Sequence, residues 1–198
     1  MKEYKLPIGC DVPETIILAD GDFPSHPLAL EWLRQCPYVV CCDGAANTYI
    51  RSGRMPEAIV GDGDSLLPDI KERYASLIHS EAEQETNDLS KAFRFCLSQE
   101  RKRITIMGAT GKREDHTIGN VSLLADYMEQ AEVSMMTDYG IFVPIREDSM
   151  FESYIGQQIS VFNMNSTALS AEGLAYPLSV FTLSLIHISE PTRRSYIS

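Results

Sequence analysis

Ile59-Val60-Gly61-Asp62-Gly63-Asp64-Ser65 reads as a short apolar strand that stops at two carboxylates one residue apart. An unbroken apolar run marks a strand covered on both faces, which is the habit of a parallel sheet. Three other stretches set a small polar knot against a strand or helix pattern. Val39-Val40-Cys41-Cys42 leads into Asp43-Gly44-Ala45-Ala46-Asn47, and Glu85-Thr86-Asn87-Asp88 precedes a helical pattern. Ile106-Met107 leads into Gly108-Ala109-Thr110-Gly111-Lys112-Arg113-Glu114-Asp115. Acidic strand ends beside a Gly-rich basic turn point to a metal–phosphate site.

Working outward, apolar runs alternate with helical spacing on both sides of that strand. Thr15 to Ala19 is a strand closed by the turn Asp20-Gly21-Asp22, and Ser25 caps a helix running to about Gln35 with Leu28, Trp32 and Leu33 inward. A helix from about Ala45 ends at Gly53, a favoured residue after a C-terminus. Pro68 opens a short helix, and Ala75 to His79 reads as a strand. Asn87 caps a helix whose apolar face is Leu89, Ala92, Phe93 and Cys96. From Asp115 to Gln130 the residues Ile118, Val121, Ala125 and Met128 are expected on one buried face, with a last strand at 133–136. The expectation is an α/β fold, a parallel sheet with helices on both faces. In such folds ligands bind outside the carboxyl ends of the strands, where all four knots lie.

Beyond about Pro144 helical spacing disappears. Segments such as 158–162 and 167–170 alternate or are β-prone, with Gly and Asn between them. Residues 1–143 are therefore assigned to the α/β domain, and 144–184 to a small, incomplete antiparallel β-sandwich.

The 198 residues carry a formal net charge of −11, with 44% hydrophobic and 23% charged. That balance is ordinary for a globular chain and argues against a nucleic-acid backbone as partner, which needs a basic surface. A cationic or metal-bound substrate fits better. No apolar run approaches the roughly 18 residues of a membrane span, so no membrane partner is expected. Five cysteines (Cys10, Cys36, Cys41, Cys42, Cys96) without a CxxC pair suggest a reducing, cytoplasmic setting.

Asp62 and Asp64 repel each other if they converge, unless a cation lies between them. Mg²⁺ takes one or two carboxylates plus substrate phosphates, and Asp88 is placed to add a third carboxylate. Asp and Gly are also plain turn formers. Residues 108–113 offer backbone N–H groups and two cations as a phosphate cradle, or form an ordinary strand-to-helix turn. They are not a Walker A loop, because Ile106 stands where its first Gly belongs and Arg113 where its Ser or Thr would be. Asp43 and Asn47 bind a polar ligand edge or cap a helix. His116 is read as a helix-end or substrate-contacting residue, and His26, His79 and His187 as structural.

Taken in order and spacing, the four knots resemble thiamine pyrophosphokinase (thiamine diphosphokinase) over roughly residues 15–182. The resemblance implies an α/β nucleotide domain followed by a β-sandwich, working as a homodimer. It also implies transfer of a pyrophosphoryl group from ATP to the hydroxyl of thiamine, giving thiamine pyrophosphate and AMP. By position it makes Asp62, Asp64 and Asp88 the acidic set for Mg²⁺ and the triphosphate, with Asp115 closing the last motif as a further catalytic candidate. It assigns ATP contacts to Asp43, Asn47, Gly61, Ser65, Thr86 and Lys91. Gly108, Ala109, Thr110, Gly111, Lys112, Arg113 and His116 complete that set. Gly63 stands where many members carry Phe, and Lys112 where many carry Gly. The same resemblance admits a pyrophosphokinase acting on another alcohol such as a pterin, a nucleotide-binding remnant, or a metal-dependent phosphohydrolase.

Near residue 184 the pattern breaks. Ser184-Leu185-Ile186-His187-Ile188-Ser189-Glu190-Pro191-Thr192-Arg193-Arg194-Ser195 reads as adapter or vector sequence joined to a truncated gene, or as a divergent native tail. Residues 185–198 are expected to be non-native, leaving the nucleotide half intact and impairing thiamine binding and dimerisation.

Overall fold

The computed structural model describes residues 1–7, 11–81, 83, 85–164, 169–176, 178, 186–189 and 191–197. In chain order the elements are β1 (Lys2–Tyr4), β2 (Thr15–Leu18), α1 (Pro27–Gln35), β3 (Val39–Cys42), α2 (Ala45–Arg51), β4 (Ala58–Gly61) and α3 (Pro68–Arg73). A 3₁₀ turn, Ala75–Leu77, leads into β5 (Ile78–Ser80). Then come α4 (Asp88–Ser98), β6 (Arg103–Met107), α5 (Glu114–Tyr127), β7 (Glu132–Met136), β8 (Ile141–Phe142), β9 (Ser149–Phe151), β10 (Ile159–Phe162), β11 (Ala171–Leu174), β12 (Ile186–Ser189) and β13 (Pro191–Ile197). The chain divides into two units, Gly9–Pro144 and Met1–Ile8 with Ile145–Ser198.

The first unit is built on a seven-stranded sheet of order β5-β4-β3-β2-β6-β7-β8, parallel except for the antiparallel edge strand β8. Alternation along the strands feeds two cores. Ile17, Val40, Cys42, Val60 and Ile106 pack with Leu89, Ala92, Phe93 and Cys96 of α4 and Leu124 and Tyr127 of α5. Ile16, Leu18, Val39, Cys41 and Ile59 pack with Ala29, Trp32 and Leu33 of α1, Ala45, Ala46 and Tyr49 of α2 and Ile70 of α3. This is the α/β parallel-sheet arrangement that the unbroken apolar runs predict. Each large side chain so buried is worth about 1.5–3 kcal/mol. Cys41 and Cys42 belong to this packing, and burial pushes both thiols well above their ordinary pKa.

Three local readings change. His26, not Ser25, caps α1, its Nδ1 accepting from the Leu28 N–H at 3.2 Å, while Ser25 is held by the Asp138 carboxylate. The expected strand at 75–79 starts only at Ile78, after the 3₁₀ turn. On α5 the buried residues are Asn120, Leu124 and Tyr127; Val121 and Met128 pack half-buried against the core, whereas Ile118 is 69% exposed. Tyr127 fixes that rotation by stacking on Phe93, with ring centroids 3.9 Å apart. Ile118 lies two residues before Asn120, about 200° round the helix, and so faces outward.

In the second unit, strands are ordered β1-β9-β13-β11, and β10 pairs with β12. The chain's first strand runs parallel to β9, and Tyr4 stacks on Phe151 at 4.7 Å. Ala171, Leu174 and Leu178 form its small core. Backbone pairing draws in segments from the expected tail, β12 against β10 and β13 against β9 and β11. Thr167 and Ala168 of the expected strand at 167–170 lie outside the described residues, as does Cys10. Among the described residues no helix is long and apolar enough to cross a membrane.

Candidate functional site

Each parallel strand of the first unit delivers a polar loop to the same sheet edge. Their order runs outward in both directions from β2, so the ends of β2 and β6 flank the point where strand order reverses, the usual ligand position in such sheets.

Asp43, just after β3, is the most confined of the carboxylates. It is 3% exposed and has a left-handed φ of 33°. Its Oδ2 accepts from the Ser65 N–H at 2.9 Å, while its buried Oδ1 has no hydrogen-bond partner. Burial pushes its carboxyl above the usual range against the bonds from Ser65, and the charges of Asp88 and Asp62 add to the rise. An uncompensated buried carboxylate oxygen between two other acids is costly unless a cation or proton reaches it. Gly61 makes this approach possible, because a Cβ there would lie 2.8 Å from the Asp43 Cβ.

Asn47 ties α2 to the loop after β4. Its Nδ2 donates to the Ser65 carbonyl at 2.8 Å, and its Oδ1 accepts from the Leu67 N–H at 3.0 Å. It therefore shapes the Asp62–Ser65 loop. Within that loop Asp62 Oδ1 accepts from the Asp64 N–H at 3.1 Å, and both side chains are exposed. Lys71 Nζ donates to the Gly63 carbonyl at 2.9 Å.

At the start of α4, Asn87 Oδ1 caps the helix by accepting from the Ser90 N–H at 2.9 Å. Its Nδ2 donates to Asn120 Oδ1 at 3.1 Å, and Asn120 Nδ2 donates to the Ala109 carbonyl at 2.8 Å. Two amides, an exposed Asn87 and a buried Asn120, thus fasten the α4 start to the loop after β6. Lys91 is buried, with its ammonium 3.1 Å from Asp88 Oδ1. The Thr86 hydroxyl is taken by Glu83 and by Arg94, at 2.5 and 3.1 Å.

The loop after β6 is closed against the loop after β2. Gly21 N–H donates to the Gly108 carbonyl at 2.6 Å and Asp22 N–H to the Thr110 carbonyl at 2.8 Å. Gly108 and Gly111 have φ of 64° and 79°. A Cβ on the first would stand 2.6 Å from the Ala19 carbonyl oxygen, and on the second 2.0 Å from Asp22 Oδ2. Among the described residues, the N–H groups of Thr110, Gly111 and Lys112 donate no hydrogen bond. Beside them is a cavity of about 120 Å³ lined by Ala19, Asp20, Asp22, Phe23, Thr48 and Lys112, among others. Arg113 grips Asp115 and His116 has an exposed ring; that ion pair stands at the start of α5.

The structure thus brings Asp43, Asp62, Asp88 and the 61–65 loop together, and separately binds the 108–112 loop to α4 and to β2. It does not gather Asp62, Asp64 and Asp88 into a closed cage: among the described residues no three His, Cys, Asp or Glu side chains are grouped to hold a metal ion. Asp20, Asp22 and Asn120 also stand at this edge and lie outside the four sequence motifs. Asp20-Gly21-Asp22 repeats the triplet Asp62-Gly63-Asp64 after another apolar strand, and that repetition was the available signal. Nothing local marks Asn120.

A sequence model described as "Thiamin pyrophosphokinase, catalytic domain" matches residues 29–136, and one described as "Thiamin pyrophosphokinase, substrate-binding domain" matches 140–184. The chain belongs to the thiamin pyrophosphokinase family. Thiamine pyrophosphokinase 1 of Oryza sativa subsp. japonica is 30% identical over 129 residues, covering 52% of this chain and 49% of that one. Thiamine pyrophosphokinase of Bacillus subtilis is 34% identical over 86 residues, 41% of this chain and 40% of that one. The chain spans about half the length of the curated relatives it matches. The crystal structure of yeast thiamin pyrophosphokinase superposes with a TM-score of 0.79 at 17% identity, covering 100% of this chain and 87% of that one. The Candida albicans enzyme gives 0.75 at 18%, covering 99% and 88%. These two likenesses speak for the thiamin pyrophosphokinase fold. The catalytic-domain match begins within α1, so Asp20, Gly21 and Asp22 precede it.

Proposed function

We propose that the protein is a thiamine pyrophosphokinase, which moves a pyrophosphoryl group from ATP to the hydroxyl of thiamine and releases AMP. One observation carries this reading: loops from the family's catalytic match are fastened to one another at a single sheet edge, through Asp43–Ser65 and Asn87–Asn120–Ala109. In the reaction the thiamine oxygen bonds to the β-phosphorus of ATP and the bond from that phosphorus to the α-phosphate oxygen breaks. The hydroxyl proton leaves to a carboxylate of this edge. Such transfers are catalysed mainly by positioning and charge neutralisation.

The donor set fits Mg²⁺. A buried, unpartnered Asp43 Oδ1 lies among acids that raise its pKa, and this ion is usually held by one or two carboxylates with phosphates completing its shell. Asp62, Asp64 and Asp88 are the residues that would hold it. When bound, it offsets the charge of the triphosphate. The free N–H groups of residues 110–112 and the side chains of Lys112 and Arg113 bind and orient phosphate oxygens on the other side. Asp43, Asn47, Gly61 and Ser65 shape the acidic pocket, and Lys91 fixes Asp88. The acidic edge also attracts the cationic thiazolium of thiamine. Residues 140–184 would contribute acceptor binding, in a cytoplasmic homodimer.

The test is acceptor dependence. With ATP and Mg²⁺, chromatography should show AMP and thiamine pyrophosphate in equal amounts, and neither without thiamine. AMP or phosphate release without thiamine would mean a phosphohydrolase, and nucleotide binding without AMP a binding module. Turnover with a pterin alcohol but not thiamine would reassign the acceptor.

A further inference from the structure

The loop after β2 lies outside the catalytic-domain match, yet it lines the cavity of about 120 Å³ and holds Lys112, a cation that lines the same cavity. Lys112 Nζ donates to the Asp20 carbonyl at 3.0 Å and to Asp20 Oδ1 at 3.1 Å, so backbone and side chain of one residue grip a single ammonium. The other carboxylate oxygen, Oδ2, lies against Gly44, where an added Cβ would stand only 2.5 Å from it. Asp20 is therefore wedged between the loop after β3 and the loop after β6. Lys112 adopts φ of 57°, a conformation that costs a non-glycine residue energy and persists where surroundings impose it.

Stability does not explain this pair. The side chains are 45% and 55% exposed, and ion pairs so exposed contribute little to folding. Their effect is instead on an incoming anion. A free lysine loses rotamer freedom when it meets a phosphate, and one already held in place loses less. The N–H groups of Thr110, Gly111 and Lys112 open on the same loop.

We infer that Asp20 is a positioning residue that holds Lys112 at the cavity wall, ready for a phosphate oxygen of a nucleoside triphosphate. The inference rests on the donor-site reading above. Asp20 itself makes no substrate contact in this account.

Calorimetric titration of Mg–ATP into the full chain tests it, with wild type compared to Asp20→Ala, Lys112→Met, the double variant and Asp20→Glu. Each single change should weaken binding about 5- to 20-fold, the size of one lost charge-assisted contact. The double variant should be no worse than Lys112→Met alone, and Asp20→Glu should recover most of the affinity. Circular dichroism melts should move little, and Asp20→Asn replaces any variant that does not fold. Unchanged or tighter binding by Asp20→Ala overturns the inference, because the carboxylate would then be idle or merely repel phosphate. So does a loss that recurs undiminished in the Lys112→Met background. A folded wild type that binds no Mg–ATP overturns the donor-site reading and this inference with it, whereas an unaffected Asp20→Ala beside a binding wild type overturns the inference alone.

Discussion

Arg113 holds Asp115 through hydrogen bonds of 3.1 and 2.5 Å, and this side-chain grip, helped by the His116 N–H, brings the carboxyl down to about 2. A depressed carboxylate pKa means that the charged pair is intact above the ordinary carboxylate range and lost only as pH falls through about 2. An NMR titration of Asp115 should therefore give a midpoint near 2, and Arg113→Met should return it towards the ordinary aspartate value of about 3.9; a wild-type midpoint near 4 would refute the pairing. This pair was legible in sequence only as two neighbours in a motif. Asp43 was legible as a site residue too, but not its solitude: that depends on Gly61 letting β4 press against it. Asp20 reads in sequence as a turn residue, because its partner, Lys112, is 92 residues away and meets it only across the β2–β6 pairing.

The α4 start is the joint between the acidic loops and the loop after β6. Asn87 works in two directions there, capping the helix with Oδ1 and reaching Asn120 with Nδ2. Replacing it with Ala removes a cap worth about 0.5–2 kcal/mol and leaves a buried amide oxygen short of a donor, about 1–3 kcal/mol more if nothing replaces it. Chemical denaturation of Asn87→Ala should show a loss of about 1.5–5 kcal/mol, the two contributions together, while Asn87→Asp, which keeps the capping oxygen but not the donor to Asn120, should lose less; no loss in Asn87→Asp would show that the link to Asn120 contributes nothing. The cap and the apolar face of α4 were readable directly from residues 87–96, because both are local. On α5 the local pattern held for Val121 and Met128, which pack against the core, and misled at Ile118. Ile118, Val121, Ala125 and Met128 have helical spacing, but Tyr127 on Phe93 and Asn120 under Ala109 set the rotation, and those partners lie on α4 and after β6. The N-cap of α1 shifted for a similar reason, since the distant Asp138 engages Ser25 and leaves His26 to cap.

Across the whole chain, unbroken apolar strands predicted a parallel sheet covered on both faces, and the order β5-β4-β3-β2-β6-β7-β8 with helices in two cores is that fold. Strand order itself was not readable, because no residue in β2 announces that β3 and β6 will flank it. Nor was the pairing of β1 with β9, which joins residues about 147 apart in sequence through three register pairs. Placing the motifs at one sheet edge was the inference that strand order then made concrete. If this edge holds a metal-bound triphosphate through Asp62 and Asp64, as proposed, equilibrium binding of Mg–ATP to three single variants measures it most directly. Asp62→Asn and Asp64→Asn should each weaken binding by roughly tenfold or more, the size of one lost contact between charged groups, while Asp69→Asn, on the exposed start of α3, should leave it within about twofold of wild type. Equal effects at all three positions would contradict the account.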